Sequence, residues 1–208
     1  MSGVQQADGH KAWQVIEQQE LLDCRPWVRV VREAVRLEDG KTVVPDFYRV
    51  DIPDFAIVFA LTTNGHVALV EQYRLALKRR VLELPAGRVE PGEAPLHSAQ
   101  RELREETGLA APEWHALGVL TIDPNRGCGH AHVFLALGAE RVGEQTDDDM
   151  QEQTLRLVTL DEMRAYAFSG ECPVIATVAA TGMALAKLSE RGMMTPGVEQ
   201  LHGSSRSG

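Results

Sequence analysis

Glu102, Glu105 and Glu106 are spaced so that a helix would carry all three carboxylates on one side. Groups that close repel one another, and without a counter-charge at least one would take up a proton. A hard divalent cation removes the conflict, and an all-oxygen donor set suits Mg²⁺ or Mn²⁺. Arg101 stands four residues before Glu105 and can orient it. The cluster belongs to a longer pattern, GRVEPGEAPLHSAQRELREETGL, running from Gly87 to Leu109. In it Gly87, Glu93, Arg101, Glu102, Leu103, Glu105, Glu106, Gly108 and Leu109 hold fixed spacings. Taken alone, RELREE is what a solvated, salt-bridged helix face looks like. The preceding loop, with Gly87 and Gly92 suited to tight turns and Glu93 between them and the helix, argues for a built site.

The elements that must position these groups are legible around them. Pro95 is tolerated in a first helical turn, Leu96, Ala99, Leu103 and Thr107 make a stripe to bury, and Gly108 fits the left-handed residue at the helix end. Upstream, strands are expected over Trp13–Glu20, Trp27–Leu37, Phe47–Ile52, Phe55–Leu61, His66–Tyr73 and Arg80–Leu84, with turns at Asp39-Gly40 and Asn64-Gly65. Downstream, Ala116–Ile122 and Ala131–Leu137 flank a Gly/Pro-rich loop. An acidic loop, Glu144–Glu152, leads to a strand at Leu155–Thr159 and helices over Leu160–Phe168 and Pro173–Arg191. The fold class is α+β: a mixed sheet with interleaved helices, preceded by a small N-terminal antiparallel β region. The expected divisions are residues 1–52 for that region, 53–192 for the main domain and 193–208 for a flexible tail.

Composition narrows the alternatives. A net charge of −9 over 208 residues argues against a general nucleic-acid binder, whose phosphate partner would be repelled. Cations can still supply local positive charge for an anionic substrate. Cys24, Cys128 and Cys172 are odd in number and widely spaced, which fits reduced thiols in a cytoplasmic protein. Residues 1–12 carry no apolar signal-peptide core, and Val174–Leu188 is too short for a spanning helix, so no membrane is expected.

The Gly87–Leu109 pattern resembles the complete box of the Nudix hydrolase family, whose members hydrolyse a nucleoside diphosphate linked to another group. That resemblance implies a Nudix α/β/α sandwich. Glu71-Gln72-Tyr73-Arg74, then Glu83-Leu84-Pro85-Ala86-Gly87, and Pro124 fifteen residues past Leu109 are similar to the ADP-ribose and ADP-sugar pyrophosphatase branch over about residues 13–190. The branch implies Glu102 and Glu106 as main metal ligands, with Glu105 and the Ala86 carbonyl assisting and two or three ions per site. It implies substrate contacts at Arg74, whose planar fork suits a diphosphate, and at Glu83.

An aromatic from the N-terminal region stacks on the adenine in this branch. Trp27 stands where that ring is expected, and Phe47 or Tyr48 would have to replace a second Trp that this chain lacks. The proton acceptor would come from the acidic loop, with Glu152 first and Asp149 second, or would be Glu105 itself. The loop Asp123–His132 should lie over the site, where Arg126 could reach a phosphate or the terminal sugar. His130 and His132, lacking visible acidic partners, read as packing residues. A homodimer through the N-terminal region is implied as well. Alternatives are a hydrolase of another nucleotide sugar such as GDP-mannose, or a non-catalytic module that senses a nucleotide.

Overall fold

The computed structural model describes residues 12–146 and 153–193. Three antiparallel strands come first: β1 (Gln14–Cys24), β2 (Val28–Arg36) and β3 (Val43–Asp51), in the order β1-β2-β3. The Asp39 side chain closes the β2–β3 turn by accepting the Lys41 and Thr42 amides at 2.8 Å each. β3 begins at Val43 rather than Phe47 and runs through Pro45, which an edge strand tolerates.

The main domain follows as β4 (Phe55–Thr62), β5 (His66–Arg74), β6 (Arg79–Glu83), β7 (Ala86–Arg88), α1 (Pro95–Thr107), β8 (Leu109–Ala110), β9 (Glu113–Thr121), β10 (His130–Arg141), β11 (Thr154–Thr159), α2 (Leu160–Phe168) and α3 (Ile175–Glu190). One mixed sheet runs β11-β5-β4-β10-β8, with β6 on β5, β7 on β4 and β9 on β10. β4 and β10 lie parallel at its centre, and the other pairs are antiparallel.

Alternation along β4 and β10 decides what each face can hold. Ile57, Phe59, Leu61, Val133, Leu135 and Leu137 form one core with Met163, Ala167, Ala180, Ala184 and Leu188 of α2 and α3. Each such large side chain contributes about 1.5–3 kcal/mol on burial. The opposite face carries Ala56, Val58, Ala60, Ala68 and Ala136, and against it α1 lays Ala99 and Leu103. Small residues there let α1 approach the sheet closely. The result is a sheet between helical layers, as expected, with a separate N-terminal sheet.

Two further details differ from the sequence reading. β7 and β8 were not foreseen, because three residues containing a glycine and two residues give no periodicity to read. Leu96 is 37% exposed rather than part of the buried stripe; Ser98 takes its place and donates to the Arg88 carbonyl at 3.1 Å. Most of the acidic loop (147–152) and of the expected tail (194–208) lies outside the described residues.

Candidate active site

The box helix starts with Pro95 in its first turn and ends at Gly108, whose φ of 69° is left-handed as its position requires. A Cβ on Gly108 would also stand 2.6 Å from the Gly143 carbonyl oxygen, so helix and following chain are locked at that point. At the other end of the motif, Gly87 in β7 pairs with Ala56 of β4. A Cβ on Gly87 would fall 2.0 Å from the Glu102 carboxyl carbon. Glycine is there because the carboxylate lies against the backbone.

Hydrogen bonds set the three glutamates. The Ala86 amide donates to Glu106 at 2.9 Å and the Gln153 side chain at 3.4 Å. Arg101 donates through Nη1 to Glu102 at 2.6 Å and Glu105 at 3.0 Å, and through Nε and Nη2 to Glu93 at 3.1 Å each. It also reaches the Arg88 carbonyl at 3.0 Å, so one guanidinium ties the loop to the helix. Glu93 also accepts from the Glu90 amide at 3.1 Å, which ties the loop ahead of the helix to the Arg101 network.

Charge is poorly balanced at this cluster. Burial pushes Glu106 up to about 8, against the pull of the Ala86 amide and with the Glu102 charge adding to the rise. Glu102 is raised too, by burial first, although Arg101 pulls it down. Glu93 sits below its usual range because Arg101 hydrogen-bonds it. Two carboxyls held reluctant to ionise beside a third are a donor set that a divalent oxygen-seeking cation suits. Among the described residues no three acidic, His or Cys side chains are arranged as a ready metal cage. Arg101 and the Ala86 amide occupy the oxygens that a cation would compete for.

The carboxylates open into a cleft of about 440 Å³ lined by Trp27, Ala86, Gly87, Arg88, Thr146 and Gln153 besides the glutamates. A more apolar cavity of about 640 Å³ adjoins it, with Trp27, Ala86, Gly87 and Arg88 as common walls. Ile52, Phe55, Leu77, Leu84, Val174 and Ala176 supply much of its apolar lining. A third hollow, about 790 Å³, lies beside α1 at Gln100, Arg104 and Trp114 and meets the cleft at Arg101, Glu105 and Thr146.

Arg74 and Glu83 stand on the apolar cavity's wall and bind each other bidentately at 2.8 and 2.6 Å. Glu83 is buried, so one of its roles is to hold the Arg74 fork. Trp27 caps the turn before β2, is 69% exposed, and borders both cavities. Phe47 and Tyr48 line neither of them; the group that meets Trp27 is Arg88, with Cζ 4.7 Å from the ring centroid.

Arg126 is not brought to this place. It pairs with Asp123 in its own loop at 2.8 Å, and its carbonyl accepts from Val50 of β3. The loop Asp123–His132 thus packs on the β3–β4 connection. His130 and His132 do have an acidic partner, contrary to the sequence reading: Asp54 accepts from the His130 amide at 2.9 Å and lies 3.2 Å from a ring nitrogen of each histidine. Asp54 is remote in sequence, so no spacing could reveal it.

Glu152 and Asp149 lie outside the described residues. The chain on either side meets α1: the Thr146 amide donates to the Glu105 carbonyl at 3.1 Å, and Gln153 touches Glu106. Sequence reasoning missed Arg88, Glu90 and Gln153. Arg88 and Glu90 occupy unspecified positions of the motif, and only their place between Gly87 and Glu93 marked them as near neighbours of the box.

The chain is similar to known proteins. The NUDIX domain pattern matches residues 52–176. The ADP-ribose pyrophosphatase of Bacillus subtilis (strain 168) is 35% identical over 120 residues, covering 58% of this chain and 64% of that protein, under two thirds of its length. The ADP-ribose pyrophosphatase of Mycobacterium tuberculosis (strain ATCC 25618 / H37Rv) is 32% identical over 154 residues, 73% of this chain and 72% of that one. A crystal structure of an ADP compounds hydrolase superposes with a TM-score of 0.76 at 16% identity, covering 90% of this chain and 100% of its own, a likeness of fold. With that pattern spanning more than half its length and the box laid across β7 and α1, the chain belongs to the Nudix family.

Proposed function

We propose that the chain hydrolyses the pyrophosphate bond of ADP-ribose or a related ADP-sugar, depends on Mg²⁺ or Mn²⁺, and releases AMP and a sugar phosphate. The observation that carries this reading is the pair of adjoining cavities, one lined with carboxylates and one mostly apolar, sharing the walls Trp27, Ala86, Gly87 and Arg88. A substrate with a diphosphate at one end of its nucleoside and an apolar base at the other spans such a pair. The similarity to ADP-ribose pyrophosphatases of two bacteria supports the same choice.

Glu102, Glu105, Glu106 and the Ala86 carbonyl would hold the cations, two or three per site. These supply Lewis-acid charge to the diphosphate and a more acidic water when bound. Arg101 keeps Glu102 and Glu105 oriented from below. Arg74, held by Glu83 through Nε and Nη2 on the wall of the apolar cavity, would place its guanidinium charge toward a diphosphate oxygen. Trp27 offers its exposed ring to the base. Water adds to one phosphorus, the bridging P–O bond breaks, and the water proton passes to a carboxylate. Glu152 is our choice for that base, with Asp149 and Glu105 as the competitors.

We also propose that the N-terminal sheet forms a homodimer. Val15, Ile16, Leu21 and Leu22 of β1 are between 44% and 53% exposed, an apolar surface that a second copy would cover. Among the described residues no helix is long and apolar enough to cross a membrane.

The test is Mg²⁺-dependent hydrolysis of ADP-ribose, ADP-glucose, GDP-mannose and UDP-glucose in parallel, with Glu106→Gln as control. Fast cleavage confined to the ADP compounds and abolished by Glu106→Gln supports the reading. Preference for GDP-mannose or UDP-glucose keeps the chemistry and overturns the account of the base. Nucleotide binding without turnover points to a sensing module instead.

A further inference from the structure

An exposed tryptophan on a turn pays to be ordered before it can stack on anything, since its ring gives up rotamer freedom. Trp27 is not left to do this alone. The Arg88 guanidinium lies over its ring at 4.7 Å, and Arg88 Nη1 is the one buried side-chain N or O atom among the described residues with no hydrogen-bond partner. The guanidinium over the indole face makes a cation–π contact, which needs no oxygen partner. The other two nitrogens are committed: Nε and Nη2 both donate to Glu90, at 3.2 and 2.6 Å, which fixes the guanidinium plane. The Glu90 amide in turn is held by Glu93, and Glu93 by Arg101.

We propose that Arg88 is a specificity-determining positioning residue: it clamps one face of Trp27 to the loop that opens the box and leaves the opposite face for the base. The chain thereby builds its base platform from an arginine and one tryptophan, where a second aromatic ring was expected. This rests on the reading that Trp27 meets the base of the substrate. Arg88 also borders the carboxylate cleft, but its assigned action is on the ring of Trp27 and not on the diphosphate or the reacting atoms. Its effect is confined to ligands that carry a base.

Binding of AMP and of ribose 5-phosphate to the full-length protein in Mg²⁺, followed by calorimetry, separates this from other roles. AMP carries the base and ribose 5-phosphate does not, so a clamp on Trp27 affects only the first. Arg88→Leu should weaken AMP about tenfold and leave ribose 5-phosphate unchanged. Arg88→Lys, which keeps a cation at the ring without the Glu90 fork, should recover part of the loss and guards against misfolding of the leucine variant. In a Trp27→Ala background, Arg88→Leu should cost nothing further. Steady-state kinetics on ADP-ribose should show the same loss in KM, with kcat changed less than about threefold.

Equal losses for AMP and ribose 5-phosphate would make Arg88 a phosphate contact or a general structural prop and would overturn the proposal. Full additivity with Trp27→Ala would do the same. If Trp27→Ala weakens AMP while Arg88→Leu does not, only the role of Arg88 falls. If Trp27→Ala itself leaves AMP affinity intact, the account of the base falls and the clamp with it.

Discussion

At the carboxylate end of the cleft, the side-chain contacts that fix Glu102, Glu105 and Glu106 come from residues 86–106 and from Gln153. At the proposed base end Trp27, Asp54, Arg74, Arg88 and Ala176 arrive from five separate stretches of chain to line one apolar cavity. The first end is half-buried and crowded with charge-assisted hydrogen bonds. The second has an exposed ring resting on a guanidinium. On the function proposed, chemistry common to many substrates sits where the chain is over-determined, and discrimination where a single residue can change without disturbing the helix. Hydrolysis and specificity should therefore fail separately.

The largest separation should come from Glu106→Gln, which removes a charge from the cluster and leaves the apolar cavity alone. We expect kcat on ADP-ribose to fall about a thousandfold with AMP affinity little changed. A comparable loss of AMP binding would mean that the two ends are not independent.

The same glutamate makes the carboxylate end sensitive to pH when no cation is present. Its native value of about 8 lies above the ordinary 4.5, so between those pH values the unfolded chain has released a proton that the native state retains. The contribution of Glu106 to the stability of the metal-free protein is then fully present below about pH 4.5 and declines by roughly a few kcal/mol as pH rises through this window. Thermal melts in EDTA from pH 5 to 9 should show the decline. Glu106→Gln should flatten it and Mg²⁺ should reverse it, whereas a flat wild-type profile would refute the burial argument.

Gly87→Ala sharpens the comparison from inside the motif. Its Cβ would collide with the end of a flexible side chain, so Glu102 can swing aside and the fold survives. Activity should drop about a hundredfold with little change in melting temperature. Gly108→Ala should do the reverse in kind, because a backbone carbonyl and a left-handed φ oppose it; a folded, fully stable Gly108→Ala protein would contradict this contrast. The smallest effect belongs to the base end. Trp27→Ala should raise KM for ADP-ribose about tenfold and leave kcat near wild type. A fall in kcat without a change in KM would relocate Trp27 to the chemistry.

The same division governs how much could be read from the chain. α1, its terminating Gly108 and the three carboxylates are local in sequence, and their spacing is a property of one helix. The strands of the central sheet were readable as apolar runs, and their faces follow from alternation. Asp54 with His130 and His132, or Arg88 with Trp27, are pairs made by topology: β4 lies beside β10, and the turn before β2 comes to rest over β7. No window along the sequence contains both members. Gln153 illustrates the limit again, since its contact with Glu106 depends on where β11 joins the sheet.

The alanine face beneath α1 has a consequence for transplanting the motif. Ala56, Ala60, Ala68 and Ala136 set how near the helix axis comes to the sheet, and that clearance places Glu102 against Gly87 and Glu106 against the Ala86 amide. Grafted onto a sheet with valine or isoleucine at those positions, the same residues from Gly87 to Leu109 would form the same helix at a greater height, with its carboxylates out of register with the loop. The box is not a portable cassette: half of its specification is written in the strands below it.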